Sequence, residues 1–373
     1  MTRTQSTHTT VGRATRSHLD VIRRLQGLID EALAPSLATL KAAPYALLDM
    51  PDYSNVGDSA IWAGEIAWLM RNVGAPPSYI CDFRDPLDEV NGNLGSGAVL
   101  FQGGGNFGDI WPQFQAFREA VISTNSQKDL IHFPQSFHFG DPATVQKTAR
   151  TLAKAQNLRL LVRDHESFDI AIAHFSNDVA LCPDMAFALG PLERIGTHDL
   201  DVLLLLRTDK ESCGFLTQTW PAAWEQADWL EDEPGLHLAV QRDSRLSTLL
   251  SFNPSRWSKR ARRLHYYNSL ADRRMQRGVR MLSRARFIIT DRLHGHILCT
   301  LLGLPHCFLD NHYGKISRFS AAFSTGWSDC YGSSAQVVRR ALFLHEVTYD
   351  DLPDISCRGC CDACTEEFRQ CAL

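Results

Sequence analysis

With 373 residues, 44% hydrophobic and 21% charged, the chain has the composition of a globular protein with room for two ordinary domains. A formal charge of −4 gives no global attraction to nucleic acid, and the longest apolar runs, such as Val202–Leu206, are far too short to span a bilayer. The N-terminus lacks the continuous apolar stretch of a signal peptide, so the sequence predicts a protein of the cytoplasm or the inner face of a membrane.

Residues 1–16 are polar and aperiodic and read as a disordered tail. Val21, Ile22, Leu25, Ile29 and Leu33 then fall at helical spacing, predicting an amphipathic helix over 19–40, broken near Pro35 and packed on the first domain. A regular alternation follows. Tyr45–Met50, Ser78–Phe83, Ala98–Gln102, Leu130–Phe133, Leu158–Val162 and Val179–Cys182 read as strands. Helices are expected over Ala60–Met70, Gln113–Ser123, Pro142–Ala155 and Phe168–His174. Strand–loop–helix units at this spacing predict a mostly parallel, doubly wound sheet.

Pro191–Leu200 reads as a linker, and Val202–Leu206 opens a second set of elements. A Trp-rich stretch (Trp220, Trp224, Trp229) and an arginine-rich segment over 255–280 follow; the latter is helical by pattern and reads as a solvated face. The organisation expected is therefore a tail and helix (1–40), an α/β domain (41–195), a second α/β domain (196–345) and a cysteine-rich tail (346–373). The two Rossmann-like domains are expected to face a cleft. Cys81, Cys182, Cys213, Cys299, Cys307 and Cys330 are scattered and read as buried thiols. Cys357, Cys360, Cys361, Cys364 and Cys371 include overlapping C-x-x-C pairs that could hold zinc. Zinc sites usually draw ligand pairs from well-separated segments, so this tail reads as a reduced appendage.

The most informative stretch is 286–310. Phe287, Ile288 and Ile289 form a buried-strand run; Ile297, Leu298, Leu301 and Leu302 lie on one helix face; Gly303 and Pro305 end that helix. Arg292, His294 and His296 thus fall at the carboxyl end of a strand, beside a helix N-terminus, where open α/β sheets bind anions. Three further loops carry polar or glycine-rich residues at such edges. Asn55-Val-Gly-Asp58 has Gly57 for a tight turn and Asp58 as an N-cap, with the Asn55 side chain facing the cleft. Gly103, Gly104 and Gly105 before Asn106 permit close backbone approach to a ligand; no Walker A lysine or dinucleotide fingerprint accompanies them, which argues against a nucleotide cofactor. Arg163 directly follows the apolar run Leu160–Val162, a costly place for a guanidinium unless it binds an anion. Arg163 and Arg292 could then grip one phosphate or carboxylate between the domains.

Taken together, Asn55-Val-Gly-Asp58, Phe101-Gln-Gly-Gly-Gly-Asn106, Phe133-Pro-Gln-Ser136, Val162-Arg-Asp164, Cys182-Pro-Asp184 and Thr290-Asp-Arg-Leu-His-Gly-His296 with Gly303-Leu-Pro305 give the chain a resemblance to the polysaccharide pyruvyl transferase family. The resemblance spans about residues 45–320 and omits the Trp-rich stretch and the cysteine tail. It implies a two-domain, GT-B-like fold and transfer of pyruvate from phosphoenolpyruvate to a sugar of an exopolysaccharide or cell-surface glycan precursor as a cyclic ketal. It also implies that Arg163, Arg292, Leu293 and His294 hold phosphoenolpyruvate, with His294 as the acid. The remaining expected substrate contacts are Asn55, Gly57, Gly103, Gly104, Gly105, Asn106 and His296. Asp58, Asp109 and Asp291 are the carboxylates that could activate a sugar hydroxyl. The scheme needs phosphoenolpyruvate as co-substrate and a sugar acceptor, free or lipid-linked at the inner membrane face, but no metal or other cofactor and no nucleic acid. Its rivals are a GT-B glycosyltransferase using a nucleotide sugar, a non-catalytic sugar- or anion-binding protein, and a metal or redox protein built on the cysteine tail.

Overall fold

The computed structural model describes residues 16–215, 220–249, 258–310 and 313–332, with 338, 342, 343 and 345. Nearly all of the N-terminal tail and the Cys357–Cys371 cluster lie outside the described residues.

The first helix, α1 (His18–Leu33), opens with a capping box: the Ser17 hydroxyl accepts from the Asp20 N–H, and the Asp20 carboxylate accepts from the Ser17 N–H. Val21, Ile22, Leu25, Ile29 and Leu33 form its buried stripe, each such side chain contributing about 1.5–3 kcal/mol. A 3₁₀ turn at Ala34–Ser36 takes up Pro35 before α2 (Leu37–Ala42), so the predicted break is found.

Strands β1 (Ala46–Leu48), β2 (Tyr79–Ile80), β3 (Val99–Phe101), β4 (Gly104–Gly108), β5 (Asp129–His138), β6 (Asn157–Val162) and β7 (Asp178–Leu181) make one parallel sheet. Its order is β2-β1-β3-β5-β6-β7, with β4 paired to β5. Helices α3 (Val56–Asn72), α4 (Leu87–Asn93), α5 (Pro112–Thr124), α6 (Pro142–Leu152) and α7 (His165–His174) connect the strands. A second parallel sheet contains β8 (Leu200–Leu205), β9 (Glu225–Ala227), β10 (Ala285–Thr290), β11 (His306–Phe308) and β12 (Cys330–Tyr331), in the order β12-β11-β10-β8-β9. Helices α8 (Leu236–Leu249), α9 (Lys259–Ser283), α10 (Leu293–Leu302) and α11 (Lys315–Phe323) accompany it. The chain passes from one sheet to the other between β7 and β8. No helix among the described residues is long and apolar enough to cross a membrane.

Four local expectations are corrected. The glycine segment is not a loop: Gly104–Gly108 is strand β4, laid along an extension of β5. The strand expected over Leu130–Phe133 runs on to His138, absorbing Pro134 where the register shifts between His132 and Gln135, the kind of irregularity at which a strand tolerates proline. Helix α3 is capped by Asn55, whose Oδ1 accepts from the Gly57 N–H at 3.1 Å, and Asp58 falls in its first turn. Finally, the arginines of α9 do not all face water. Arg274 is buried and donates to Asp232 through Nε and Nη2, Arg277 reaches Asp232 at 2.7 Å, and Arg263 pairs with Asp85. The same helix packs on α3 closely enough that a Cβ on Gly278 would lie 2.3 Å from Val56 Cγ1.

The two sheets share a core, and each also packs a smaller cluster of its own. One hydrophobic cluster takes in Val21 and Leu25 of α1, Leu47 of β1, Ile61 of α3, Leu203 of β8, Leu298 of α10 and Phe319 of α11. Helix α1 contacts α10, and His18 lies against the Trp327 ring, so the N-terminal helix packs on both halves.

Candidate active site

Carboxyl ends of strands from both sheets converge on one corner. From the first sheet, β6 delivers Arg163 and β7 delivers Asp184 after Pro183. From the second, β10 delivers Asp291 and Arg292, and the chain beyond β11 delivers Lys315 as the first residue of α11. Asp184 is the junction. Its Oδ1 accepts from the Ala186 N–H at 2.9 Å, capping the turn Met185–Leu189, while its Oδ2 accepts from both Arg163 Nη1 and His294 Nε2, the latter at 3.3 Å. Burial would raise this carboxyl, but His294 and then Arg163 outweigh it and hold it well below the usual carboxylate range.

Glycines fix this geometry. A Cβ on Gly64 would meet the Met185 carbonyl oxygen at 1.9 Å, so α3 lies directly on the turn that Asp184 caps. A Cβ on Gly57 would stand 2.3 Å from His294 Nδ1; the imidazole occupies the space left by the missing side chain, at the N-terminus of α3. A Cβ on Gly105 would stand 2.9 Å from Arg163 Nη2 and 3.5 Å from Lys315 Nζ, so a guanidinium and an ammonium border one gap in the glycine strand. Gly105, Ser136, His138, Asp164, Tyr313 and Lys315 line a small pocket here. Arg163 Nε donates to Ser136 Oγ at 3.0 Å, and that hydroxyl donates to Asp164, the cap of α7. Burial, then Arg207 and Arg163, pull the Lys315 ammonium below its ordinary range against the opposing pull of Glu211, whose carboxylate is 2.7 Å away.

The expected residues are not all brought together. Arg163, His294, Gly57 and Gly105 meet as described. Arg292 does not complete a clamp with Arg163. It is buried, donates through Nε and Nη2 to Asp228 at 2.6 and 2.7 Å, and lies over the Trp229 ring. The cation beside Arg163 is Lys315. Leu293 is buried in the shared core. His296 is turned away from the corner, because residues two apart on a helix face opposite sides; its fully buried ring contacts His306 and Thr325. Burial holds His296 well below 6.5 and His306 down to about 4.

Gly103 and Gly104 serve strand packing. A Cβ on Gly103 would meet the Pro134 carbonyl at 2.6 Å, and Gly104 has φ of 128°. Asn106 points inward: its Oδ1 accepts from Arg118 at 2.6 Å and from Gln135 at 3.2 Å, and Arg118 is buried on Asp49. Of the carboxylates, Asp58 is half-buried, accepts from Asn55 Nδ2 at 2.7 Å, and faces Gly104. Asp109 accepts from the Gly140 and Asp141 N–H groups and staples that turn. Asp291 is buried with Oδ1 on the Arg207 N–H, and burial pushes it up to about 6.

Sequence reasoning passed over Asp184, although it stood inside a quoted motif, and Lys315, which opens α11 well beyond the end of β11. Asp228 gave no such sign, lying in the Trp-rich stretch.

An α/β fold of parallel sheets with a histidine, an arginine and a lysine gathered at strand ends defines a protein suited to an anionic substrate. More particularly, the chain belongs to the polysaccharide pyruvyl transferase family, whose profile matches residues 55–313. It is 32% identical to Pyruvyl transferase 1 of Schizosaccharomyces pombe over 306 residues, covering 74% of this chain and 68% of that one. It is 29% identical over 312 residues to EpsO of Bacillus subtilis, provisionally named a pyruvyl transferase, covering 83% and 92% of the two chains. The fold resembles an uncharacterised Klebsiella pneumoniae protein of known crystal structure, with a TM-score of 0.53 at 18% identity over 82% of this chain and 98% of that one.

Proposed function

We propose that this transferase moves pyruvate from phosphoenolpyruvate to a sugar of an exopolysaccharide or cell-surface glycan precursor, leaving it as a cyclic ketal. The observation that carries the reading is the shared Asp184 oxygen, which joins His294 to Arg163 beside the gap that Lys315 and Gly105 border. Arg163 and Lys315 supply fixed positive charge for the donor's phosphate and carboxylate. His294 gives a proton to the methylene carbon, leaving C2 cationic. A sugar hydroxyl then bonds to C2 and loses its proton to Asp58, the half-buried carboxylate at the start of α3. A second hydroxyl oxygen replaces the C2–O bond to phosphate, and its proton leaves with the phosphate. The acceptor is a free or lipid-linked glycan, and no step calls on a cofactor.

The test is thermal stability with phosphoenolpyruvate beside a panel of nucleotide sugars, since a ligand of the native state raises the melting temperature by mass action. A rise with phosphoenolpyruvate that disappears in Lys315→Ala supports the donor site. A rise with nucleotide sugars alone, with no phosphate released when both compounds are present, would overturn the reading in favour of a glycosyltransferase.

A further inference from the structure

Behind the corner, on the far side of α10, three soft ligands meet that the reaction above does not use. His306 opens β11, Cys330 opens β12, and the two are direct partners across those strands. His296 comes to them from α10, with its Nδ1 2.8 Å from His306 Nε2 and 3.8 Å from Cys330 Sγ. One ligand atom from each residue lies within 4.8 Å of the others.

The ring nitrogens remote from this point are fixed. His306 Nδ1 lies 2.9 Å from the Leu304 carbonyl, which can only accept, so that nitrogen carries the hydrogen and the neutral ring presents a lone pair at Nε2. His296 Nε2 lies 2.9 Å from Thr325 Oγ1, which bonds onward to Ser320 Oγ at 3.0 Å. If the His296 hydrogen is at Nε2, two lone pairs face each other and need a cation between them. Metal-bound histidines are held in this way, with the outer nitrogen on a carbonyl or another oxygen. Zinc bonded tetrahedrally to two imidazoles and a thiolate would separate the nitrogens by about 3.3 Å and nitrogen from sulfur by about 3.6 Å. The two imidazole nitrogens, 2.8 Å apart, would have to open by about half an ångström. Cys299, one turn along α10 from His296, is buried and unbridged and is the nearest thiol along that helix for a fourth bond.

We propose that His296, His306 and Cys330 bind one zinc ion that ties α10 to the β11–β12 edge. Binding deprotonates the Cys330 thiol and releases that proton to solvent. The site is structural: its metal holds from behind the helix that carries His294.

The test counts metal in the full-length chain by inductively coupled plasma mass spectrometry after incubation with zinc and exhaustive dialysis. The cysteine tail could take zinc itself, so the parent protein carries Cys357→Ser, Cys360→Ser, Cys361→Ser, Cys364→Ser and Cys371→Ser. The expected result is about one zinc per chain, falling about tenfold in His306→Gln and in Cys330→Ser. Cobalt in place of zinc should give the parent a thiolate charge-transfer band that Cys330→Ser lacks, and chelation should lower the parent's melting temperature. Should the variants fail to fold, the cobalt band of the folded parent decides. A folded parent with no bound metal and no band, or zinc unchanged by both substitutions, would overturn the proposal and leave a neutral His–His–Thr hydrogen-bond chain in its place.

Discussion

The two sheet edges that meet at the candidate site are built on opposite plans. The first sheet offers space: Gly57 makes room for His294, and Gly105 leaves a gap before Arg163 and Lys315. The second sheet offers charge already compensated in place. Arg207 bonds Asp209 and Glu211, Glu211 bonds Lys315, and Arg292 is held by Asp228. A buried arginine bound at both ends of its fork to a carboxylate is positioned rather than available. Substitutions at the gap, and at the His294 and Lys315 side chains that border the space the first sheet leaves, should therefore act on ligand and turnover, and those in the compensated pairs of Arg207 and Arg292 should act on stability.

His294→Gln should show the largest effect, lowering kcat by about 10²–10⁴-fold while the fold persists, as expected for loss of a general acid. Single-turnover phosphate release measures it, and full turnover in the variant would remove His294 from the chemistry. Gly57→Ala should come next. Its methyl must displace the imidazole, costing about 10²-fold in turnover, although alanine is about 1 kcal/mol better than glycine inside a helix. Activity lost without a fall in melting temperature is the expected signature.

The contrast itself is sharpest in a pair of arginines. Arg163→Lys should weaken phosphoenolpyruvate binding by roughly 10–100-fold, the worth of about 1.5–3 kcal/mol in charge-assisted contact. Arg292→Lys should leave donor affinity nearly intact and lower thermal stability, because a lysine cannot reproduce the two bonds to Asp228. Calorimetric titration of both variants would settle the matter, and equal losses of affinity would erase the distinction between the edges.

The smallest effect concerns Asp291, whose carboxyl burial raises to about 6. Its proton is held more tightly in the folded chain than in the unfolded one, so this group's contribution to stability falls as pH rises from about 4 through 6. Asp291→Asn removes that ionisation. Relative to the unaltered protein it should gain on the order of 1 kcal/mol between pH 4 and pH 7.5, read from melting curves at both values.

Features written locally were legible in the sequence. Apolar runs gave β1, β3, β6, β8 and β10, and strand-end position singled out Arg163 and His294. Gly105 was expected to permit close approach to a ligand; what approaches it in the fold is Arg163 and Lys315, and its neighbours proved to be strand residues pressed on β5. Helical spacing alone could have separated His294 from His296. What could not be read was pairing between distant segments. Arg292 looks like a free cation until Asp228, 64 residues earlier, is seen beside it. The arginines of α9 look solvated until Asp85 and Asp232 are brought to them by folding.

Because α1, β1, β8, α10 and α11 all contribute to one apolar cluster, melting either half exposes that shared core, although each sheet also keeps a smaller cluster of its own. The chain should unfold cooperatively, in a single calorimetric transition. A nick in the 191–199 connection should leave two fragments that stay associated until both denature together. Any opening that admits a glycan must then come from movement of loops at the corner, since swinging the halves apart would strip water-shy surface from α1 and α10 at once.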